Sequence, residues 1–328
     1  MNTDIIIRDL VPEDAFELSA LFSRCYGETY GTPVFYDVTA LTSLIDQQGL
    51  ISVVAAKGQQ ILGHMGITVR HLGSKVCETG NTVVDPNARG QGLLLRLGAG
   101  LHALVLRKDY AAYIHYPTTA HEIMQRASVA YGGKETGVML AYVPDTTDSK
   151  LEDKKFGRLA ATVAYQPLSP LPLKEVILPE RYRVVIASIY ENLSLDRRVM
   201  KPLESSYRSS ISDGARIIEH YSLQRGLLHM FVATQCSDIA SKVSALIKKY
   251  QPIITHVDLP LDNPDIDVLI ESLRELGFFF SALLPEFADT DLLRLQAIRS
   301  LTPSDFELNL INEDAINLGD FIRNDAVF

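Results

Sequence analysis

Residues 83–98, VVDPNARGQGLLLRLG, leave the chain little freedom of local structure. Val83 and Val84 close a β-branched run, and Pro86 stops strand pairing because it has no amide hydrogen. Gly90 and Gly92 then let the backbone turn, and Leu94, Leu97, Leu101 and Leu104 recur at the spacing of one buried helix face. A strand that passes through a Gly-rich turn into a helix offers unpaired amides at the positive end of the helix dipole, where an anion binds. RGQG taken by itself is equally a plain turn. Two common phosphate loops are excluded: GxGxxG fails because its sixth position is Leu95, and no P-loop lysine follows. Gly98 and Gly100 inside the leucine segment imply either a close neighbour or a helix that ends early.

The elements around this stretch read as α+β. Ile5–Leu10 is a strand and Pro12-Glu13-Asp14 opens a helix that runs to Cys25. The segment from Tyr26 to Asp37, with three Tyr, one Phe, two Gly and a Pro, is an aromatic loop. A short helix over 38–47, a hairpin over 51–57 and 60–71, and a strand over 76–84 precede the motif. A helix near 92–108, a strand over 111–116, a helix over 121–131 and strands over 138–143 and 158–165 follow, with 145–155 a polar loop.

At 328 residues the chain exceeds one ordinary core. The Pro-rich LSPLPL at 168–173 is the natural linker. Beyond it the pattern partly repeats: Pro117 to Gly133 spans 16 residues and Pro260 to Gly277 spans 17, each a helix leading to a strand that ends in Pro. The expected domains are 1–167, a linker at 168–177, 178–300, and a tail at 301–328. That tail has six acidic residues against one Arg and is expected to be solvated.

Composition narrows the function classes. A net charge of -9 argues against a general nucleic-acid binder. Three scattered cysteines suit reduced thiols in a cytoplasmic protein, with no disulfide framework and no CxxC metal site. The N-terminus lacks a positive leader region, and no apolar run is long enough to span a membrane.

With its flanking elements, VVDPNARGQGLLLRL resembles the central V-x-P-x-x-R-G-x-G motif of the GNAT superfamily of acyl-CoA-dependent N-acyltransferases, over about residues 4–167. The resemblance implies a GNAT fold: a mixed, mostly antiparallel sheet flanked by helices, with a second GNAT-like domain after the linker. It also implies that acetyl-CoA or another short-chain acyl-CoA is held by Arg89, Gly90, Gln91, Gly92, Leu93 and Leu94, with the pantetheine arm along Val83 and Val84 between splayed fourth and fifth strands. Leu94 stands where the family usually has Gly or Ala. The acceptor, a small-molecule amine or a protein amino group, would enter over Tyr26, Tyr30, Phe35 and Tyr36, although some of these rings also suit core packing.

Acyl transfer to an amine needs a base for the ammonium proton and an acid for the thiolate. The family's acid matches Tyr131, or Val129 in the register counted from Gly133. Its strand glutamate is missing at Gly80-Asn81-Thr82. Strict alternation puts Glu78 on one face with Gly80, Thr82 and Val84, as a base acting through water; His115 and His64 are alternatives, and core histidines otherwise. Cys77 has only its thiol in its favour, and His115 with His121 make a poor metal pair, so no metal is expected. In the second half ATQCSDIAS replaces the phosphate loop, which suits packing or pocket formation. The expected activity is direct N-acyl transfer in a ternary complex by a monomer or homodimer; the alternative is a non-catalytic acyl-CoA-binding or regulatory module.

Overall fold

The computed structural model describes residues 4–68, 74–144, 157–201, 216–233, 238–299 and 308–326. Two compact units emerge, one from residues up to His115 together with 166–169, the other from 116–144, 158–165 and 170 onward. One boundary falls inside the Pro-rich stretch, between Ser169 and Pro170, and others lie earlier in the chain. Residues 116–144 and 158–165, expected in the first domain, are built into the second unit.

In the first unit the order is β1 (Ile6–Asp9), α1 (Ala15–Tyr26), α2 (Val38–Asp46), β2 (Ile51–Lys57), β3 (Gln60–Thr68), β4 (Val76–Val84), α3 (Leu93–Arg107) and β5 (Ala112–His115). The strands pair in sequence order, antiparallel except for β4 and β5, which run parallel. Strands β2 and β3 are apolar at nearly every position because both faces are covered. One face packs Val54, Ala56 and Val83 against Leu18, Leu21 and Phe22 of α1 and Leu41 and Ile45 of α2. The other packs Val53, Ala55, Ile67 and Cys77 against Leu93, Leu97, Leu101 and Leu104 of α3. Helix α3 runs through both of its glycines. At Gly100 the reason is a close neighbour, since a Cβ there would lie 2.6 Å from Ile7 Cγ2.

The second unit contains α4 (Ile123–Ala130), β6 (Lys134–Val143), β7 (Leu159–Pro167), β8 (Lys174–Val176), α5 (Arg183–Leu193), β9 (Arg197–Val199), β10 (Ile217–Ser222), β11 (Leu227–Val232), α6 (Ile239–Tyr250), β12 (Ile254–Pro260), α7 (Ile266–Arg274), β13 (Phe279–Leu284), β14 (Leu292–Ile298) and α8 (Glu313–Asp325). Its sheet order is β7-β6-β13-β14-β12-β11-β10, and β8 and β9 pair separately. The expected loop at 145–155 lies outside the described residues. Strands β8, β9 and β10 are additions to the sequence reading.

The two helix ends compared in the sequence share one hydrogen-bond pattern, with the register moved by one residue. Helix α4 ends with Gly132 N–H donating to Val129 O and Gly133 N–H to Ser128 O; α7 ends with Gly277 N–H donating to Arg274 O and Phe278 N–H to Leu273 O. Gly132 and Gly277 hold the left-handed conformation, at φ 82° and 87°. Gly132, not Gly133, is therefore the partner of Gly277, and Tyr131 corresponds to Leu276.

Strands β6 and β13 meet at one antiparallel pair, Gly137 with Ala282. A side chain at Gly137 would run into Ser281 O and the Ala282 backbone. Gln296 completes the seam: its Oε1 accepts from Leu140 N at 2.9 Å, and its Nε2 donates to Val138 O and Phe280 O at 3.0 and 3.1 Å. Helix α8 packs on the same two strands with Ala315, Leu318 and Ile322 buried. Asp325 takes Phe280 N–H, Tyr182 O–H and the Arg274 guanidinium at 2.7–2.8 Å. Over its described part the acidic tail is thus a docked helix, not a solvated one; residues 301–307 lie outside the described set. Gly137→Val is expected to destabilise the protein by about 1–3 kcal/mol or more through overpacking at this seam, read as a lower urea midpoint by far-UV circular dichroism.

Candidate active site

In the first unit, β4 and β5 pair only at Val76–Ala112, Cys77–Tyr113 and Glu78–Ile114. Strand β5 ends at His115, whereas β4 runs on to Val84. From Thr79 to Val84 the edge of β4 that faced β5 has left its ladder, which opens a splay beside Val83 and Val84. The corresponding parallel pair of the second unit, β11 with β12, stays closed over five residues from Leu227–Ile254 to Phe231–Asp258. Its loop counterpart to RGQG lies largely outside the described residues.

At the end of β4, Asp85 caps a short turn by accepting Asn87 N–H at 2.9 Å. Arg24 of α1 grips that carboxylate at 2.6 Å and Ile61 O at 2.8 Å, so helix α1 and the turn are fastened together. Gly90 and Gly92 adopt φ 78° and 70°, and no atom lies within 4 Å of a Cβ built on either. Gly92 is the N-cap of α3, and Arg96 N–H donates to Gly92 O at 3.2 Å. The turn is therefore open to an approaching anion at the positive end of the helix. Leu94 is half-buried against the α3 core and Leu93 is fully buried. Both apolar side chains turn inward.

Strict alternation along β4 is broken. The register steps from His64–Val83 to Gly66–Gly80, so β4 carries one extra residue, and Asn81 takes φ 53°. Cys77 consequently packs with α3 while Val83 packs with α1 and α2, although both have odd numbers. Glu78 thus shares its face with Val83 and the aromatic residues, and not with Val84 as alternation predicts. The signal for the bulge was present: Asn tolerates the left-handed region better than other non-glycine residues.

On that face, Phe22 stacks on Phe35 at 3.9 Å between centroids and approaches Tyr30 at 4.8 Å, and Tyr26 lies 4.9 Å from Tyr30. Phe35 is a core ring, and Phe22 is a member of the cluster that sequence reading left inside a helix. Burial pushes the Tyr26 phenol up to about 12, against the pull of the nearby Arg89 guanidinium. Tyr36 is raised by burial as well, and its hydroxyl accepts Tyr30 N–H at 3.2 Å. Tyr30 O–H donates to Asn81 Oδ1 at 2.7 Å, so the aromatic loop is tied to the bulge itself.

His64 donates from Nδ1 to Asn81 O at 2.7 Å, and burial takes its pKa down to about 4. His115, at the end of β5, is lowered to about 4 by the same cause. Burial pushes the Cys77 thiol up to about 12, which leaves it no nucleophilic thiolate. Tyr131 belongs to the other unit, where it caps the C-terminus of α4. No group of three or more His, Cys, Asp or Glu side chains able to hold a metal occurs among the described residues.

The decisive stretch lies inside a family match: residues 15–97 fit the model of the Acetyltransferase (GNAT) family. Residues 15–97 are a GNAT acetyltransferase segment. It takes in α1, the aromatic loop, β2 to β4, the RGQG turn and the first residues of α3. No curated protein matches the chain. Among solved structures, an N-acetyltransferase from Staphylococcus aureus is 15% identical, covering 51% of this chain and 100% of its own, with a TM-score of 0.42. The ribosomal-protein-alanine N-acetyltransferase of Brucella melitensis is 19% identical over 50% of this chain and 99% of its own, at 0.40. A phosphinothricin acetyltransferase from Sinorhizobium meliloti, solved in complex with AcCoA, is 19% identical over 52% and 90%, at 0.40. No helix among the described residues is long and apolar enough to cross a membrane.

His64, fully buried, and the half-buried His115 on the neighbouring strand set a pH dependence. An unfolded His titrates near 6.5, whereas His64 and His115 titrate near 4 in the fold. Above about pH 6.5 neither state binds these protons and the stability is fully present. Between about 6.5 and 4 only the unfolded chain binds them, so stability falls as pH falls and levels off below about 4. Urea midpoints at pH 7.5, 5.5 and 4 should follow this course, and His64→Gln should remove roughly half of the slope the pair causes.

Proposed function

We propose that the protein is an acyl-CoA-dependent N-acyltransferase, with acetyl-CoA or another short acyl-CoA as donor and a primary amine as acceptor. The observation that carries this reading is the open, left-handed Gly90–Gly92 turn. It delivers the N-terminus of α3 to the mouth of the β4–β5 splay. Backbone amides of Arg89 to Leu94 hold the pyrophosphate, supported by the helix dipole. Val83 and Val84 line the slot for the pantetheine arm, and the freed edge of β4 supplies amide and carbonyl groups to an extended partner.

In a direct transfer, the amine nitrogen bonds to the thioester carbonyl carbon while the carbon–sulfur bond breaks. One proton leaves the nitrogen and one goes to the departing thiolate. Glu78 lies on the face of the aromatic wall and takes the first proton through water. Tyr131 is the family's match for the donor of the second. Its contribution is read by kinetics: Tyr131→Phe lowers kcat by about 10²-fold or more with the Kd for CoA unchanged if its hydroxyl serves as acid.

Gly92→Glu is expected to abolish CoA binding by calorimetry, because it places a carboxylate where the pyrophosphate lies. The left-handed conformation makes any side chain at Gly92 costly. Gly58→Glu, at φ 62° in the open β2–β3 turn, carries a similar backbone cost and should bind CoA normally. Unchanged CoA affinity in Gly92→Glu overturns the site. Tight acetyl-CoA binding without thiol release over a panel of primary amines makes the protein a binding module instead.

A further inference from the structure

The Gly-rich turn is built on a buried carboxylate. Asp85 is 2% exposed. Its amide donates to Leu62 O, its carbonyl takes Ala88 N–H and its Oδ1 takes Asn87 N–H, each at 2.9 Å. The short turn Pro86–Ala88 is therefore organised around this one residue, and Arg89 follows it directly. At the rise of such a turn, the negative charge stands roughly 8 Å along the chain from Arg89, where the open amides begin. Salt screens charges only partly at that distance, and a buried charge least of all. A carboxylate left to itself there would repel a pyrophosphate on Arg89 to Leu94.

Arg24 resolves the conflict from the last turn of α1. Its Nε donates to Asp85 Oδ2 at 2.6 Å, so the guanidinium takes the oxygen that Asn87 leaves over. Its Nη2 donates to Ile61 O at 2.8 Å, which fixes the group against β3. The next two residues reach the same stretch. Cys25 Sγ donates to Val84 O at 3.6 Å, and the Arg89 guanidinium pulls on the Tyr26 phenol. Helix α1 thus ends on residues 84–89 with three consecutive side chains. An Asn at position 85 would cap the turn without any charge, so the carboxylate brings in the guanidinium and the guanidinium cancels the carboxylate. Removing only one partner of so buried a pair leaves the other charge uncompensated.

We propose that Arg24 is a positioning residue for the acyl-CoA donor: its pairing with Asp85 cancels the negative charge beside the Gly90–Gly92 turn and keeps that carboxylate in place to hold Asn87. Its action on the donor runs through Asp85. This rests on the acyltransferase reading and gives α1 a part in donor affinity.

The test is the Kd for CoA, by calorimetry on the full chain, in wild type, Arg24→Met, Asp85→Asn and the double variant. Arg24→Met should weaken CoA about 10-fold or more, since it strands a buried carboxylate near the anion. That loss should shrink as NaCl is raised from about 0.05 to about 0.5 M. Asp85→Asn keeps an acceptor for Asn87 N–H and should bind CoA more tightly than wild type. The double variant should return to within about 3-fold of wild type, because no charge is then stranded. A double variant as weak as Arg24→Met means that Arg24 only fastens α1, and it overturns the inference; so does a wild-type Kd in Arg24→Met. If Arg24→Met does not fold, as read by far-UV circular dichroism, the double variant decides by itself: an affinity within about 3-fold of wild type supports the inference and a loss of about 10-fold overturns it. Wild-type protein that does not bind CoA overturns the acyltransferase reading instead.

Discussion

Everything specific to the first unit follows from β4 losing its parallel partner after three residues. Backbone amides and carbonyls cannot be buried unpaired without cost, so the edge left beyond Glu78 and Ile114 is either wet or taken up by another extended, amide-bearing chain. The bulge at Asn81 uses the same freedom. It turns the strand so that Val83 faces α1 and α2, and it exposes a carbonyl to His64 and a side-chain oxygen to Tyr30. Strand, aromatic loop and Gly-rich turn are consequently one mechanical assembly, fastened at the other end by Arg24 and Asp85.

Two buried charged clusters tie the second unit together. In one, Arg294 grips Asp258 with Nε at 2.7 Å and Nη2 at 2.8 Å, and His229 Nε2 reaches the same carboxylate at 2.7 Å. Against the cost of burial, these partners hold the Asp258 carboxyl well below the ordinary carboxylate range. That cluster is closed on itself and ties β11, β12 and β14 together. Around Arg197, Asp291 and Glu286 the same holds: Tyr190 O–H donates to Asp291 at 2.6 Å, and Lys174 pairs with Glu286. Elsewhere buried polar atoms have no partner among the described residues, among them Ser52 Oγ and His64 Nε2 in the first unit and Thr162 Oγ1 and His256 Nε2 in the second.

Sequence periodicity exposed most of this fold because the strands of both units are flanked by helices with strong apolar stripes, and because Pro and Gly punctuate them. Strands over 51–57 and 76–84 and the helix beginning at Leu93 appear with their expected limits or within a residue of them. The bulge was missed because a single extra residue changes no composition, yet it inverts every later side chain. The exposed strand β10 escaped notice because a largely exposed edge strand carries no alternation. Helix α8 escaped because its acidic content outweighed three buried apolar residues at helical spacing. The orphaned Ser52 and His64 atoms were beyond reach of sequence, since only the three-dimensional register brings them over Gly66.

The seam at Gly137 and Gln296 has a consequence for how such a chain can change over time. The second unit's sheet joins β6 and β7, which follow the helix ending at Gly132, to β13 and β14, which follow the helix ending at Gly277. Strands held in that sheet by backbone pairing keep their edges, and there β11 and β12 stay paired over five residues. Change in such a unit is then confined to its loops, which can drift while the paired backbone cannot.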